Sequence, residues 1–345
     1  MTTYLFVGDC RNILLTLPTD SFDCIVTSPP YWGLRDYGIN GQIGLEPTLD
    51  GYVETLAIIA RELWRVLKPS GTFWLNIGDC YAHDGKHGGE TGGKQAYLDD
   101  GNRKRVGRGK RVTNLKPKDL CLVPARVALR LQTDGWWLRS EIIWAKPNAM
   151  PESVTDRPTC AHEKVFLLSK SERYFYDADA IREAESVPDW DDGSRVFGGV
   201  NKAGANVAHG ERTAGRRAGP RKRGLPPRHA SYSSSDQSGL DAVGRGSGRN
   251  ARNVWTIATQ PYRGAHFATM PPNLAERCIR AGCPDGGHVL DPFAGTGTTG
   301  MVADRLGRHA TLIDINPAYG ELQRSRIQDD APLLAQIVVL PEAAE

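Results

Sequence analysis

Residues 288–317 read "HVLDPFAGTGTTGMVADRLGRHATLIDINP". A short apolar run, a glycine-rich turn, a helical stretch ending near Gly307 and a second apolar run make one strand–turn–helix–strand unit, which demands a sheet with parallel neighbours. Gly295, Gly297 and Gly300 satisfy G-x-G-x-x-G at the mouth of the helix, and Asp314 ends the next strand. A carboxylate at that place can accept hydrogen bonds from ribose hydroxyls, so turn and acid together point to an adenosine-containing cofactor. The pattern alone does not choose between NAD and S-adenosylmethionine. Asp291, just ahead of the turn, would repel a pyrophosphate if it pointed inward and would suit the ammonium of an amino acid moiety. That favours S-adenosylmethionine, although the same carboxylate can instead tie down the backbone of the turn.

The N-terminal end repeats the alternation. Strands are expected at "YLFVGD" and "FDCIVTS", with the helix "CRNILLTLP" between them. Residues 49–71 keep Tyr52, Leu56, Ile59, Leu63 and Leu67 on one face, which predicts a helix stopped by Lys68, Pro69 and Gly71. The strand "TFWLNI", the helix "LCLVPARVALRLQ" and the strands "WWLRSEIIWA" and "KVFLLS" follow, and order returns at "RNVWTI" and the helix "PPNLAERCIRAG". One α/β sheet is therefore expected, interrupted by segments of different character.

Those segments are basic. Residues 101–118 hold eight Lys or Arg and no acid, and residues 193–253 hold twelve basic and three acidic residues, although the whole chain carries only +3. Such localisation suits a polyanionic partner met by loops. Residues 82–118 read as a mobile insertion, 182–253 as a linker or recognition insert without period, and 328–345 as a C-terminal tail. The start "MTTYLFVGDC" lacks a positive segment followed by a long apolar one, and no later window approaches a membrane span, so a cytoplasmic location is expected. Seven scattered cysteines, never in C-x-x-C, argue against a disulfide framework and a zinc site.

A second motif, "TSPPYW" at 27–32, closes the buried-type strand "FDCIV", at the sheet end where open α/β folds place their ligands. Neither proline has an N–H, so the carbonyls of Ser28, Pro29 and Pro30 can face a pocket from a rigid turn. Tyr31 adds a flat face. The set can cradle an aromatic ring that bears an exocyclic amine.

Together "TSPPYW" and "DPFAGTGTTG" resemble the motifs of the amino-group DNA methyltransferases. "SPPY" is similar to the form typical of N4-cytosine enzymes and unlike the "DPPY" of N6-adenine enzymes, and the catalytic motif precedes the cofactor motif, as in the permuted class β. The resemblance spans most of 1–181 and 254–327. It implies the Rossmann-like class I methyltransferase fold, an α/β architecture with a seven-stranded, mostly parallel sheet, helices on both faces and an inserted target-recognition region at 182–253.

Residue by residue, the resemblance implies S-adenosyl-L-methionine contacts at Asp9 and Cys10 of "GDC". It implies others at His266, Phe267, Ala268 and Thr269 of "HFATMPP", and at Asp291, Phe293, Gly295, Gly297, Thr298 and Asp314. Phe267 stands where many members have proline. Asp9 also suits the N-cap of the following helix. Ser28, Pro29, Pro30 and Tyr31 form the catalytic bracket, and Lys146 of "IIWAKPN" is expected to reach a DNA phosphate. Arg103, Lys104 and Arg105 in one tract, with Arg221, Lys222 and Arg223 in the other, are expected to meet double-stranded DNA. The implied reaction flips a cytosine and methylates its N4 amine directly, without a metal or a covalent intermediate, in agreement with the lack of a "PCQ" motif. A homodimer and a cognate restriction endonuclease are partners the resemblance allows. N6-adenine methylation through the same bracket is the near alternative. A nicotinamide-dependent oxidoreductase is the remote one, and it leaves "TSPPYW" and the basic tracts unexplained.

Overall fold

The computed structural model describes residues 1–34, 38–82, 114–184, 196–197, 200–201, 248–260, 269–332 and 335–340. Among them no helix is long and apolar enough to cross a membrane. The chain divides into two units, one comprising Met1–Ile181 with Arg252–Glu345 and the other Arg182–Ala251.

In the first unit the chain runs β1 (Thr2–Val7), α1 (Cys10–Thr16), β2 (Phe22–Thr27), α2 (Leu49–Val66) and β3 (Leu67–Ile77). Next come α3 (Val123–Thr133), β4 (Trp137–Ala145) and β5 (His162–Ser169). The second unit contributes two-residue strands, β6 (Val196–Phe197) and β7 (Val200–Asn201), which pair with each other. The first unit then resumes with β8 (Val254–Thr256), α4 (Pro272–Gly282), β9 (His288–Asp291) and α5 (Thr298–Arg305). It closes with β10 (His309–Asp314), α6 (Pro317–Asp330) and β11 (Gln336–Leu340).

Among the described residues its sheet has nine strands in the order β11-β1-β10-β9-β2-β3-β5-β4-β8. Only β5 runs against its neighbours, pairing antiparallel with β3 and β4. The expected seven strands are the inner seven, and the correction lies at the edges. There β8 pairs with β4, and β11, in the stretch read as a tail, pairs with β1. The tail reading also missed that α6 continues to Asp330.

Helices cover both faces. Thr48 caps α2 by accepting from the Gly51 N–H at 3.0 Å, and Tyr52, Leu56, Ile59 and Leu63 along one side are buried. They pack into one core with Ile25, Phe73, Leu75 and Ile77 of the sheet, and full burial of a leucine such as Leu63 contributes roughly 1.5–3 kcal/mol. On the opposite face Thr72 donates to the Gly282 carbonyl of α4 at 2.9 Å, and the Trp74 indole donates to Thr72 at 3.1 Å.

Parallel pairing has a functional consequence. The C-terminal ends of β1, β2, β3, β9 and β10 share one edge of the sheet, and because β5 is reversed its first residues lie on that edge too. Asp9, Ser28, Asn76, Glu163, Asp291 and Asp314 all sit on or just beyond it.

Candidate active site

The three glycines of the turn do three different things. Gly297 has φ +77 and precedes α5 directly, so the chain enters the helix through a conformation that L side chains rarely take. Gly300 lies against β10, where an added Cβ would stand 2.5 Å from Leu312 Cδ1. At Gly295, with φ +51, the Cβ position has no heavy atom within 4 Å, so the backbone faces open space. That opening is what close approach of a ligand to the turn requires.

Asp314 faces the same turn. Its carboxylate accepts from the Gly295 N–H at 2.7 Å and from the Asn316 N–H at 2.8 Å. Each oxygen retains a lone pair, so the group fits a ribose diol beside the opening. Asp291, by contrast, is 3% exposed and filled. It accepts from Thr27 Oγ1 at 2.5 Å, Thr299 Oγ1 at 2.6 Å and the Phe293 N–H at 3.0 Å. Asp291 thereby ties the turn to β2 and α5 through two threonine hydroxyls and to its own backbone through one N–H.

The turn is also braced from α6, which sequence reasoning did not find. Gln323 donates to the Gly295 carbonyl at 2.9 Å, and Arg326 donates to Thr296 Oγ1 and Thr298 Oγ1 at 2.7 and 2.8 Å. The Thr298 hydroxyl is thereby turned toward α6. Asp9 caps α1 by accepting from the Arg11 N–H at 2.9 Å and is ion-paired with the Arg11 guanidinium. Cys10 is buried, which pushes its thiol up to about 12.

Burial also raises the two acids of the turn, Asp291 to about 6 and Asp314 to about 7, against the opposing pull of their hydrogen bonds. Since the ionised carboxylate is the better acceptor for hydroxyls, affinity for S-adenosylmethionine should weaken as pH falls from 8 through 7. A loss of about tenfold by pH 6 is expected. Isothermal titration across that range checks this, and a flat profile would mean that Asp314 does not take the diol.

The proline bracket begins one residue beyond β2. It is anchored from behind by Trp32, 2% exposed, whose indole donates to the Glu46 carbonyl at 2.9 Å. The Tyr52 hydroxyl donates to the Pro30 carbonyl at 2.8 Å. This corrects the expectation that Pro30 offers its carbonyl to a pocket, because that oxygen is committed to α2. No donor reaches the Pro29 carbonyl among the described residues.

Tyr31 is half-buried with its ring against Gly78, where a Cβ would stand 2.5 Å from Cε2. Its hydroxyl donates to Glu163 Oε2 at 2.5 Å, and burial together with the Glu163 charge holds the phenol well above its ordinary value. Asn76 completes the group. Its amide nitrogen donates to Tyr31 Oη and Glu163 Oε2, both at 3.1 Å, and to Ser28 Oγ at 3.3 Å. Its Oδ1 is buried without a partner, a cost of about 1–3 kcal/mol that the site tolerates to aim the N–H groups at three oxygens.

Lys146, expected to reach a DNA phosphate, forms an ion pair with Glu163 and lies 4.4 Å from the Trp144 ring centroid, drawn inward by charge and ring together. Thr269 stands just ahead of the Pro271 cap of α4. Arg103, Lys104, Arg105, Arg221, Lys222, Arg223, His266, Phe267 and Ala268 lie outside the described residues.

A family model described as DNA methylase, for N6 and N4 enzymes, matches residues 22–324. The chain is 41% identical over 325 residues to the type II methyltransferase M.SmaI of Serratia marcescens, covering 94% of this chain and 90% of that one. It is 40% identical over 331 residues to M.Cfr9I of Citrobacter freundii, covering 94% and 88%. Among solved structures it resembles the cytosine-N4-specific PvuII DNA methyltransferase, with TM-score 0.58, 18% identity and coverage of 98% and 95%. It also resembles a Thermus thermophilus protein assigned as a DNA modification methylase and solved with S-adenosyl-L-methionine, with TM-score 0.52, 22% identity and coverage of 98% and 99%. At those identities the likeness to both structures is one of fold.

Proposed function

The chain belongs to the N6/N4 DNA methylase family, and within it we infer that the protein transfers a methyl group from S-adenosyl-L-methionine to the N4 amine of a cytosine flipped out of double-stranded DNA. The observation that carries this reading is Ser28. A neutral hydroxyl, hydrogen-bonded within a polar cluster, stands at the end of β2 where adenine enzymes typically carry a carboxylate. The names of the relatives, type II methyltransferases, support a role in a restriction-modification system.

When bound, the cofactor supplies an electrophilic sulfonium methyl. The protein's part is placement. Asp314 and the open backbone at Gly295 hold the adenosine side, while Ser28 Oγ and the Pro29 carbonyl accept from the target amine and aim its lone pair. Tyr31, fixed by Glu163 and Gly78, flanks the base, and stacking offsets part of the few kcal/mol that extrusion costs. The basic tracts at 101–118 and 193–253 neutralise phosphates, and the insert at 182–253 reads base edges.

The test is product identity. DNA methylated by the purified protein, digested to nucleosides and analysed by mass spectrometry, should contain N4-methylcytosine. N6-methyladenine as the sole product would assign the bracket to adenine.

A further inference from the structure

The cluster around Tyr31 contains more than a base pocket needs. Ser28 Oγ, Tyr31 Oη and Glu163 Oε2 stand in a row, 3.4 and 2.5 Å apart, and the Asn76 amide nitrogen reaches all three. The direction of these bonds is determined. A carboxylate only accepts, so the Tyr31 proton points at Glu163. Asn76 donates to both hydroxyl oxygens, and turning its amide over would set Oδ1 against the Glu163 carboxylate. The Ser28 proton is therefore the donor to Tyr31, and a lone pair on Ser28 is left for an incoming N–H. The 3.4 Å step is long, as catalytic hydrogen bonds commonly are before the reacting complex forms.

Resting on the methyl-transfer reading above, we propose that Glu163 terminates a hydrogen-bonded chain that receives the proton lost by the target amine. As the amine lone pair forms the N–CH3 bond, the S–CH3 bond breaks with its electron pair left on sulfur, and the nitrogen becomes cationic. Its proton passes to Ser28 Oγ, the Ser28 proton to Tyr31 Oη, and the Tyr31 proton to Glu163. Each hydroxyl ends neutral and one carboxylate ends protonated, so charge and atoms balance. The high proton affinity of the buried phenol fits a group that relays a proton without resting as phenolate. Glu163 is a positioning residue that acts through Tyr31 and Ser28, and Lys146 on its other oxygen holds it in line.

The test compares E163Q, Y31F and the double variant with the wild type. In single-turnover methylation both single variants should slow transfer about 10²-fold, and the double variant no further, because one chain is cut twice. E163D, which keeps a carboxylate, should recover part of the rate. The solvent deuterium isotope effect of the wild type should shrink in E163Q. A readout independent of activity is 19F NMR of protein labelled with 3-fluorotyrosine, in which the Tyr31 resonance, assigned by its loss in Y31F, should ionise at lower pH in E163Q. Near wild-type transfer by E163Q, additive losses in the double variant, or an unmoved Tyr31 titration would each overturn the proposal. If the wild type forms no N4-methylcytosine, the parent reading fails instead, and the two failures are distinct.

Discussion

Methyl transfer by the Ser28→Ala variant should fall by about 10²-fold in single turnover, while affinity for S-adenosylmethionine stays within a few-fold. The expectation separates two things that happen at the end of β2. Thr27, the last residue of the strand, donates to Asp291 and so belongs to the wall of the glycine turn. Ser28, one residue on, faces the opposite way, toward Tyr31 and Asn76. Removing its hydroxyl takes away the acceptor that aims the amine and the first member of the chain to Glu163. The Asn76 N–H groups still find Tyr31 and Glu163, so no buried donor is orphaned and the fold should survive. Cofactor affinity is the control. A variant that binds the cofactor poorly but turns over normally at saturation would show that the bracket belongs to the cofactor site.

What could be read in advance followed the range of the interactions. The turn at 295–300 was legible because its requirements are local: a positive φ at Gly297 and a close helix–strand approach at Gly300 each leave a glycine in the sequence. The proline bracket was legible for the same reason, since a strand cannot continue through Pro29 and Pro30. Glu163 carries no such mark. It meets Tyr31 across 132 positions of sequence, only because β5 is reversed between β3 and β4 and brings its N-terminal end to the functional edge. Helix α6 escaped notice because it buries only Gln323 and Ile327, too few for a visible apolar stripe, and one of the two is polar. Strand β11, at the sheet edge with Val338 and Val339 exposed, lacks the buried alternation that marks an inner strand.

The reversed strand also explains why Lys146 turns inward. Trp144 pairs with Glu163 across the sheet, so the residue that follows β4 emerges beside the carboxylate at the start of β5. Lys146 then meets an opposite charge in a half-buried setting before it meets solvent, and the pair forms there.

Asp314→Ala should produce the complementary defect, raising the dissociation constant for S-adenosylmethionine by about 10²-fold with saturated turnover nearly kept. Two losses contribute. The acceptors for the ribose hydroxyls disappear, and the Gly295 N–H, now 2.7 Å from the carboxylate, loses the partner that orients the turn. The turn does not collapse, because Gln323 still holds the Gly295 carbonyl and Arg326 still holds Thr296 and Thr298. Helix α6 also keeps its start, since the Asn316 side chain accepts from the Ala318 N–H. Stability should suffer less than affinity, and the sign follows from the raised acid. A carboxyl lifted by burial from 3.8 to about 7 favours the folded state when protonated, and that contribution fades as pH rises through 7. At pH 8 the ionised group is already costly to bury, so alanine relieves a penalty while it removes the hydrogen bonds. A thermal melt at pH 8 should therefore move little, whereas the same variant at pH 5 should melt earlier than wild type. An unchanged dissociation constant, or turnover lost even at saturating cofactor, would remove Asp314 from the cofactor site.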